Sequence, residues 1–427
     1  MSKQLLQKYM EKLGGSGHFN GSILVACDKE ILLSEGYGMA SFQYMVPNTA
    51  KTKFRIGSLS KAFTAVGILK LVEQGKLNLT ETIDLFFPSF QEGNKITIHH
   101  LLTHTSGIED IAASPDYWER DMRLPTTLEK LVETLQEKPL EFSPGERMEY
   151  SNSGYLVATA IIEKVTGISF SEFLTEEIFR PLNMLDSGVD NGRTIVPQLA
   201  AGHTVHKEII HTEFIDMSIP QGAYGLYSSV EDLHKWGLAL MNETILNKNL
   251  LDLMFTENMD GYGYGWFLTD KPKKIASHSG DINGFVSDFQ LFLDDRITII
   301  MLSNVNITPV EKISADIAKI VNGESIEVEI IPEGHLVADT ESVVGEYKNN
   351  GVTISVEQKD ATSIFVTAPK KYGVPYTIPF QLVNAENGRL VYIAEFINEK
   401  AIFLVKEDGI SLIYVNGYGT EQEFLRN

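Results

Sequence analysis

Ser58 and Lys61 stand one helical turn apart in the run Phe54-Arg55-Ile56-Gly57-Ser58-Leu59-Ser60-Lys61-Ala62-Phe63. Residues at i and i+3 share a helix face, so the amine can reach the hydroxyl and turn an unreactive alcohol into a nucleophile. No other serine in the chain is followed by lysine at this spacing. Two later segments can complete the same site. Tyr150-Ser151-Asn152 follows Phe142-Ser143-Pro144-Gly145, a turn that projects it as a loop. A lysine ammonium favours the ionised form of a nearby phenol, so Tyr150 can take a proton from serine. Asn152 offers a donor and an acceptor to an amide substrate. His278-Ser279-Gly280 is expected to end a strand, with Gly280 admitting a substrate close to the backbone.

The elements around these residues must position them. Lys61 to Val72 is apolar almost all round, the pattern of a helix buried in a core. Ser58 then lies at its N-terminus, where free N–H groups and the helix dipole favour negative charge. Leu5, Leu6, Tyr9, Met10 and Leu13 mark an amphipathic N-terminal helix. Strands are expected over 22–26 and 31–34, around an Asp28-Lys29 turn, and again over 275–278, 284–293 and 297–302. Between them, residues 76–255 read as a helical insertion, with helices over 128–136, 154–166 and 169–178. Ser228 and Glu231 form an expected capping box for a helix ending at Met241. Thr308 as N-cap, Pro309 in the first turn and Gly323 beyond the end frame a last helix with Ile313, Ile317 and Ile320 on one face. This pattern predicts an α/β fold with an antiparallel sheet flanked by the N- and C-terminal helices.

After Gly323 the composition changes. Residues 331–342 read as a linker, separating a domain over 1–330 from a second over 343–427. From Val343 about eight short strands follow at regular spacing, with turns at Asn349-Asn350-Gly351, Asn387-Gly388, Asp408-Gly409 and Asn416-Gly417. Such strands close most simply into an all-β barrel. Pro379 inside one of them marks an edge or a bulge.

Composition narrows the function classes. The 427 residues are 43% hydrophobic and 22% charged, as in ordinary globular proteins. With 36 Lys and Arg against 57 Asp and Glu, the net charge of −21 opposes binding to nucleic acid or to an anionic membrane. The single cysteine, Cys27, excludes an intramolecular disulfide; its apolar surroundings predict a buried core residue. No secretory signal or apolar run long enough to span a bilayer is evident, so a cytoplasmic location is expected. His100 and His104, with His99 beside them, have zinc-ligand spacing but lack an H-E-x-x-H context, and His203, His206 and His211 read as loop or surface residues. No nucleotide-binding loop, dinucleotide fingerprint or G-x-S-x-G elbow is present. Neither a metal nor a cofactor is expected, and the partner is a small-molecule substrate.

The ordered set Ser58-x-x-Lys61, Tyr150-x-Asn152 and His278-x-Gly280 resembles the penicillin-binding protein and class C β-lactamase superfamily. His100-Leu101-Leu102-Thr103-His104-Thr105-Ser106-Gly107, Gly225-Leu226-Tyr227-Ser228 and Gly280-Asp281-Ile282-Asn283-Gly284-Phe285 extend the likeness over about residues 15–322. The trailing barrel, with Val344-Gly345-Glu346-Tyr347 near its start, is similar to the lipocalin-like domain of D-aminopeptidases. The resemblance implies that Ser58 is acylated and that Lys61 and Tyr150 share the proton transfers, with the formal base left open. It implies an oxyanion hole of the Ser58 and Asp281 N–H groups, and an Asn152 that holds the acyl side chain. In β-lactamases and DD-peptidases the third motif begins with lysine; here His278 stands there, only partly protonated near neutral pH. Hydrolysis of small esters, D-amino-acid amides or short peptides is therefore ranked above β-lactam or D-Ala-D-Ala chemistry, with a non-catalytic ligand sensor as a third reading.

Overall fold

The computed structural model describes residues 2–328, 340–370, 374–407 and 409–426. Helix α1 (Ser2–Gly15) leads into the hairpin β1 (Gly21–Cys27) and β2 (Glu30–Tyr37), which turns through Asp28 at φ 50°. The buried helix α2 (Ser60–Glu73) follows, then a helical region containing α3 (Asn152–Thr166), a small hairpin β3 (His203–His206) and β4 (Glu208–His211), and α4 (Val230–Met241). Strands β5 (Phe267–Thr269), β6 (Ile275–Ile282), β7 (Phe285–Phe292) and β8 (Ile297–Ser303) then lead to α5 (Val310–Val321).

The central sheet has the order β5-β6-β7-β8-β1-β2 and is antiparallel throughout. Its period-2 alternation serves two cores. Ile23, Val25, Ile299 and Met301 face α1 and α5, meeting Leu6, Met10, Ile313 and Ile317. Leu24, Ala26, Ile300 and Leu302 face the larger core of α2, α3 and α4, which includes Trp236 stacked on Phe63 at 4.3 Å. Both faces are covered, so the strands read as continuous apolar runs.

The second domain is a closed eight-stranded barrel: β9 (Gly345–Asn349), β10 (Val352–Gln358), β11 (Ser363–Pro369), β12 (Pro375–Glu386), β13 (Arg389–Ala394), β14 (Lys400–Lys406), β15 (Gly409–Val415) and β16 (Glu421–Arg426). The order is β11-β10-β9-β16-β15-β14-β13-β12, and β11 pairing with β12 closes the ring. Pro379 sits one residue before the β13 ladder begins, and β12 bulges between Leu382 and Asn384. The hairpin β3–β4 joins β12 through a parallel bridge between His206 and Thr377, attaching the barrel to the helical region. Most of the expected linker at 331–342, and Asp408 of one expected turn, lie outside the described residues.

Several local expectations need correction. Cys27 is exposed, because it is the last residue of β1, beyond the flanking helices. Ser229 caps α4, accepting from the Asp232 N–H at 3.2 Å, while Ser228 pairs with Ser187 on a short strand. Helix α5 begins after Pro309; the Thr308 hydroxyl instead bonds Ser303 and Val305. His203 is buried, with its ring edge-on to Phe42 at 4.9 Å. His278-Ser279-Gly280 does not end a strand, because Gly280 and Asp281 continue the ladder opposite Ser287 and Val286, and the turn falls at Asn283-Gly284.

Candidate active site

Ser58 sits in a single 3-10 turn (Gly57–Leu59) immediately before α2. Gly57 has φ +54°, a conformation that favours glycine. Side chains clamp the turn on both sides. Ser60 Oγ donates to Gly57 O at 2.7 Å, and Ser287 Oγ donates to Ile56 O at 2.8 Å. Strand β6 lies hard against it: a Cβ at Gly57 would be 2.5 Å from the Asp281 nitrogen, and a Cβ at Gly280 2.1 Å from Ile56 O. β5 pairs with β6 only from Ile275 to Ser277, so the edge from His278 onward is open toward Ser58.

Lys61 is fully buried beneath the serine. Its Nζ donates to Ser58 Oγ at 3.1 Å, Asn152 Oδ1 at 2.8 Å and Ala223 O at 3.0 Å, which uses all three ammonium protons. Burial drives this ammonium down to about 7, against a smaller opposing pull from the Asp110 charge. An amine near half-protonation can reverse its contact with Ser58, receiving the hydroxyl proton instead of donating. Asp110 is the residue that sequence reasoning missed. Its carboxylate accepts from Asn152 N at 3.1 Å and Asn152 Nδ2 at 3.2 Å, so it fixes the amide whose oxygen faces Lys61. Burial raises the Asp110 carboxyl, and the Lys61 charge offsets part of that rise.

The Tyr150 ring covers Lys61, with Nζ 4.7 Å from the ring centroid. Its loop is held from behind by His104, which accepts from Ser151 N at 3.0 Å and lies 4.3 Å from the Tyr150 ring. Burial, then the Lys61 charge, holds His104 far below its ordinary range, so it serves as a neutral aromatic wedge. The neighbouring histidines are engaged elsewhere: His99 Nδ1 pairs with Tyr264 at 2.7 Å, and His100 caps its own helix.

His278 is buried and pushed down to about 3 by desolvation first and by the Lys61 charge second. Its Nδ1 lies 2.5 Å from Ser279 O, which can only accept. The proton is therefore on Nδ1, and Nε2 accepts from Tyr262 OH at 3.3 Å. The expected partial charge is thus absent near neutral pH.

Ser58, Tyr150, Asn152, His278, Gly280 and Asp281 all line one cleft of about 790 Å³, with Lys61 at its floor. Acidic side chains are prominent in it: Asp110, Glu213, Asp281 and Glu311. None of the described residues lining it is lysine or arginine. Val374 and Tyr376 of the barrel complete one wall.

A serine over a buried lysine, faced by an open strand edge on this α/β frame, defines the serine β-lactamase and penicillin-binding protein superfamily. Residues 3–321 match the family model described as Beta-lactamase, and the chain belongs to that family. Penicillin-binding protein 4* of Bacillus subtilis (strain 168) is 33% identical over 328 residues, covering 70% of this chain and 71% of that protein. The octameric penicillin-binding protein homologue from Pyrococcus abyssi superposes with a TM-score of 0.67 at 26% identity over 99% of both chains, barrel included. The D-amino acid amidase from Ochrobactrum anthropi SV3, solved with L-phenylalanine amide, shares the fold at 24% identity and a TM-score of 0.66, over 75% of this chain and 98% of that one.

Proposed function

We propose that this protein is a serine hydrolase that opens small esters, amino-acid amides or short peptides through an acyl-enzyme on Ser58. Ser58 Oγ attacks the carbonyl carbon while its proton passes to Lys61 Nζ, with which it is already hydrogen-bonded. The carbonyl oxygen becomes an oxyanion facing the N–H groups of Ser58 and Asp281, each worth about 2.7–4 kcal/mol in such sites. The C–O or C–N bond then breaks and Lys61 returns the proton to the leaving oxygen or nitrogen. Water repeats the cycle on the acyl-enzyme. Asn152, held by Asp110, orients both Lys61 and the substrate's acyl group. Tyr150 covers the amine and lines the cleft beside it.

One observation carries the choice of substrate. Among its described lining the cleft holds four carboxylates, of which Glu213 is already paired with Arg123 at 2.6 Å, no lysine or arginine, and a neutral His278. A substrate carboxylate would be desolvated there without a counter-charge among the described lining residues, whereas a free α-ammonium would find one. Uncharged esters and amine-bearing amides are therefore preferred over penicillins and D-Ala-D-Ala peptides. The likeness to Penicillin-binding protein 4* keeps β-lactam acylation as the second reading.

The test is a panel on wild type and Ser58→Ala: p-nitrophenyl acetate, D- and L-alanine p-nitroanilides, their N-acetylated forms, and nitrocefin. Esters and free-amine anilides should turn over, with acetylation and nitrocefin both unfavourable. Ser58→Ala should lose about 10³-fold or more. Full activity in Ser58→Ala would refute the nucleophile, and nitrocefin as the preferred substrate would establish the second reading instead.

A further inference from the structure

Two segments of the barrel reach the residues that wall the catalytic cleft. The first follows β11: Lys370 N donates to Val374 O at 2.9 Å, and Val374 and Tyr376 line the cleft. The second is the turn after β15, where Tyr418 OH donates at 2.8 Å to Glu311 Oε2, another lining residue. Both segments are tied to one side chain. Glu399, between β13 and β14, is 1% exposed. Its Oε2 accepts from Lys370 Nζ at 2.5 Å and from Tyr414 OH. Its Oε1 accepts at 2.8 Å from Gly417 N, one residue before Tyr418.

Stability alone does not call for this arrangement, since a buried ion pair seldom stabilises more than an apolar replacement. Placement is what it supplies. The Glu399 backbone is itself fixed: its N–H donates to Ile397 O at 2.8 Å, and its carbonyl accepts from Ala394 N at 3.0 Å. The carboxylate is therefore a rigid hub with one oxygen for each segment. All three of its partners are donors, so only a carboxylate offers them two accepting oxygens. At their far ends the segments are held from the catalytic domain, by Asn306 Nδ2 donating to Tyr376 OH at 3.2 Å and by Glu311 accepting from Tyr418. Each is thus spanned between Glu399 and the cleft wall.

We propose that Glu399 is a positioning residue for substrate selection. It does not line the cleft. Its two oxygens instead set how far Tyr376 and the Glu311 wall stand into the cleft, and so the length of substrate admitted. The effect on substrates rests on the hydrolase reading of Ser58; the tie itself does not.

The test compares p-nitrophenyl octanoate with p-nitrophenyl acetate in the full chain. One variant is Glu399→Gln. The other combines Lys370→Met with Glu399→Met, which leaves no buried charge and should keep the barrel folded. Each should raise the octanoate-to-acetate ratio of kcat/KM by about tenfold, through KM for octanoate, with kcat for acetate unchanged. Added to Tyr376→Ala, neither should raise the ratio further, because both act through the same wall. Hydrogen exchange over residues 416–420 should quicken whether or not the chain turns over substrate. An unchanged ratio in variants with the wild-type circular dichroism spectrum would overturn the proposal and leave Glu399 a packing residue. So would unaltered exchange, or a ratio that multiplies with Tyr376→Ala. Absence of Ser58-dependent turnover in the wild type would instead refute the hydrolase reading, and the exchange would then decide whether Glu399 holds the turn.

Discussion

At the scale of single residues, the chemistry turns on how a lysine is held near its point of neutrality. Burial removes water from Lys61 and favours the neutral amine, while the Asp110 charge pulls the other way. If neutral Lys61 is the base, kcat/KM for an uncharged ester should rise with pH through an apparent pKa of about 7 and then level off. Asp110→Asn removes the charge that supports the ammonium, so the limb should move to lower pH; a pH–rate profile that moves upward would contradict the assignment. Ser58, Lys61, Tyr150 and Asn152 were legible in the sequence because each motif is contiguous. Asp110 was not, since it meets Asn152 across 42 residues of chain and belongs to no local pattern. The charge state of His278 was not legible either, because it is set by burial first and by the Lys61 charge second rather than by residue type.

At the scale of elements, the site is a seam between one turn and one strand. Gly57 and Gly280 let β6 approach the Ser58 turn, and the Asp281 N–H comes with it. In Gly280→Ala the new methyl would lie 2.1 Å from Ile56 O and 2.4 Å from Ser287 Oγ. The strand must move away, which should cost about 1–3 kcal/mol of stability. Separating an oxyanion donor from its serine should also lower kcat by about 10²-fold. Urea unfolding and steady-state kinetics would read the two effects, and a stable, fully active variant would show that the seam is slack. The sequence placed α2 and the β1–β2 hairpin because their apolar runs are unbroken, and the helix over 128–136 because its periodicity is strong. It stopped β6 too early, since Gly280 and Asp281 have poor strand propensity and only pairing with β7 carries the strand past them.

At the scale of the whole molecule, the barrel is part of the cleft. Its strand count and closure followed from turn spacing, but its docking did not, because that rests on single contacts such as the His206–Thr377 bridge. Tyr376 narrows the cleft from the barrel side. Tyr376→Ala should therefore raise kcat/KM for long acyl or peptide substrates relative to short ones by roughly tenfold; an unchanged ratio would assign the residue a packing role only. The sheet that carries the site has a further consequence, in time. Gly21 of β1 pairs with Ser303 of β8, so one side of β1 has no neighbour until most of the chain has been made. At about 5–20 residues per second, that wait is on the order of tens of seconds. During it Ile23, Leu24 and Val25 form an apolar edge that invites aggregation or a chaperone. Ser58 and Lys61 leave the ribosome early in the same interval, yet the strand bearing Asp281 arrives near its end. A nascent chain therefore carries its serine unarmed, and reactivity is acquired only once the strands through Ser303 have been made.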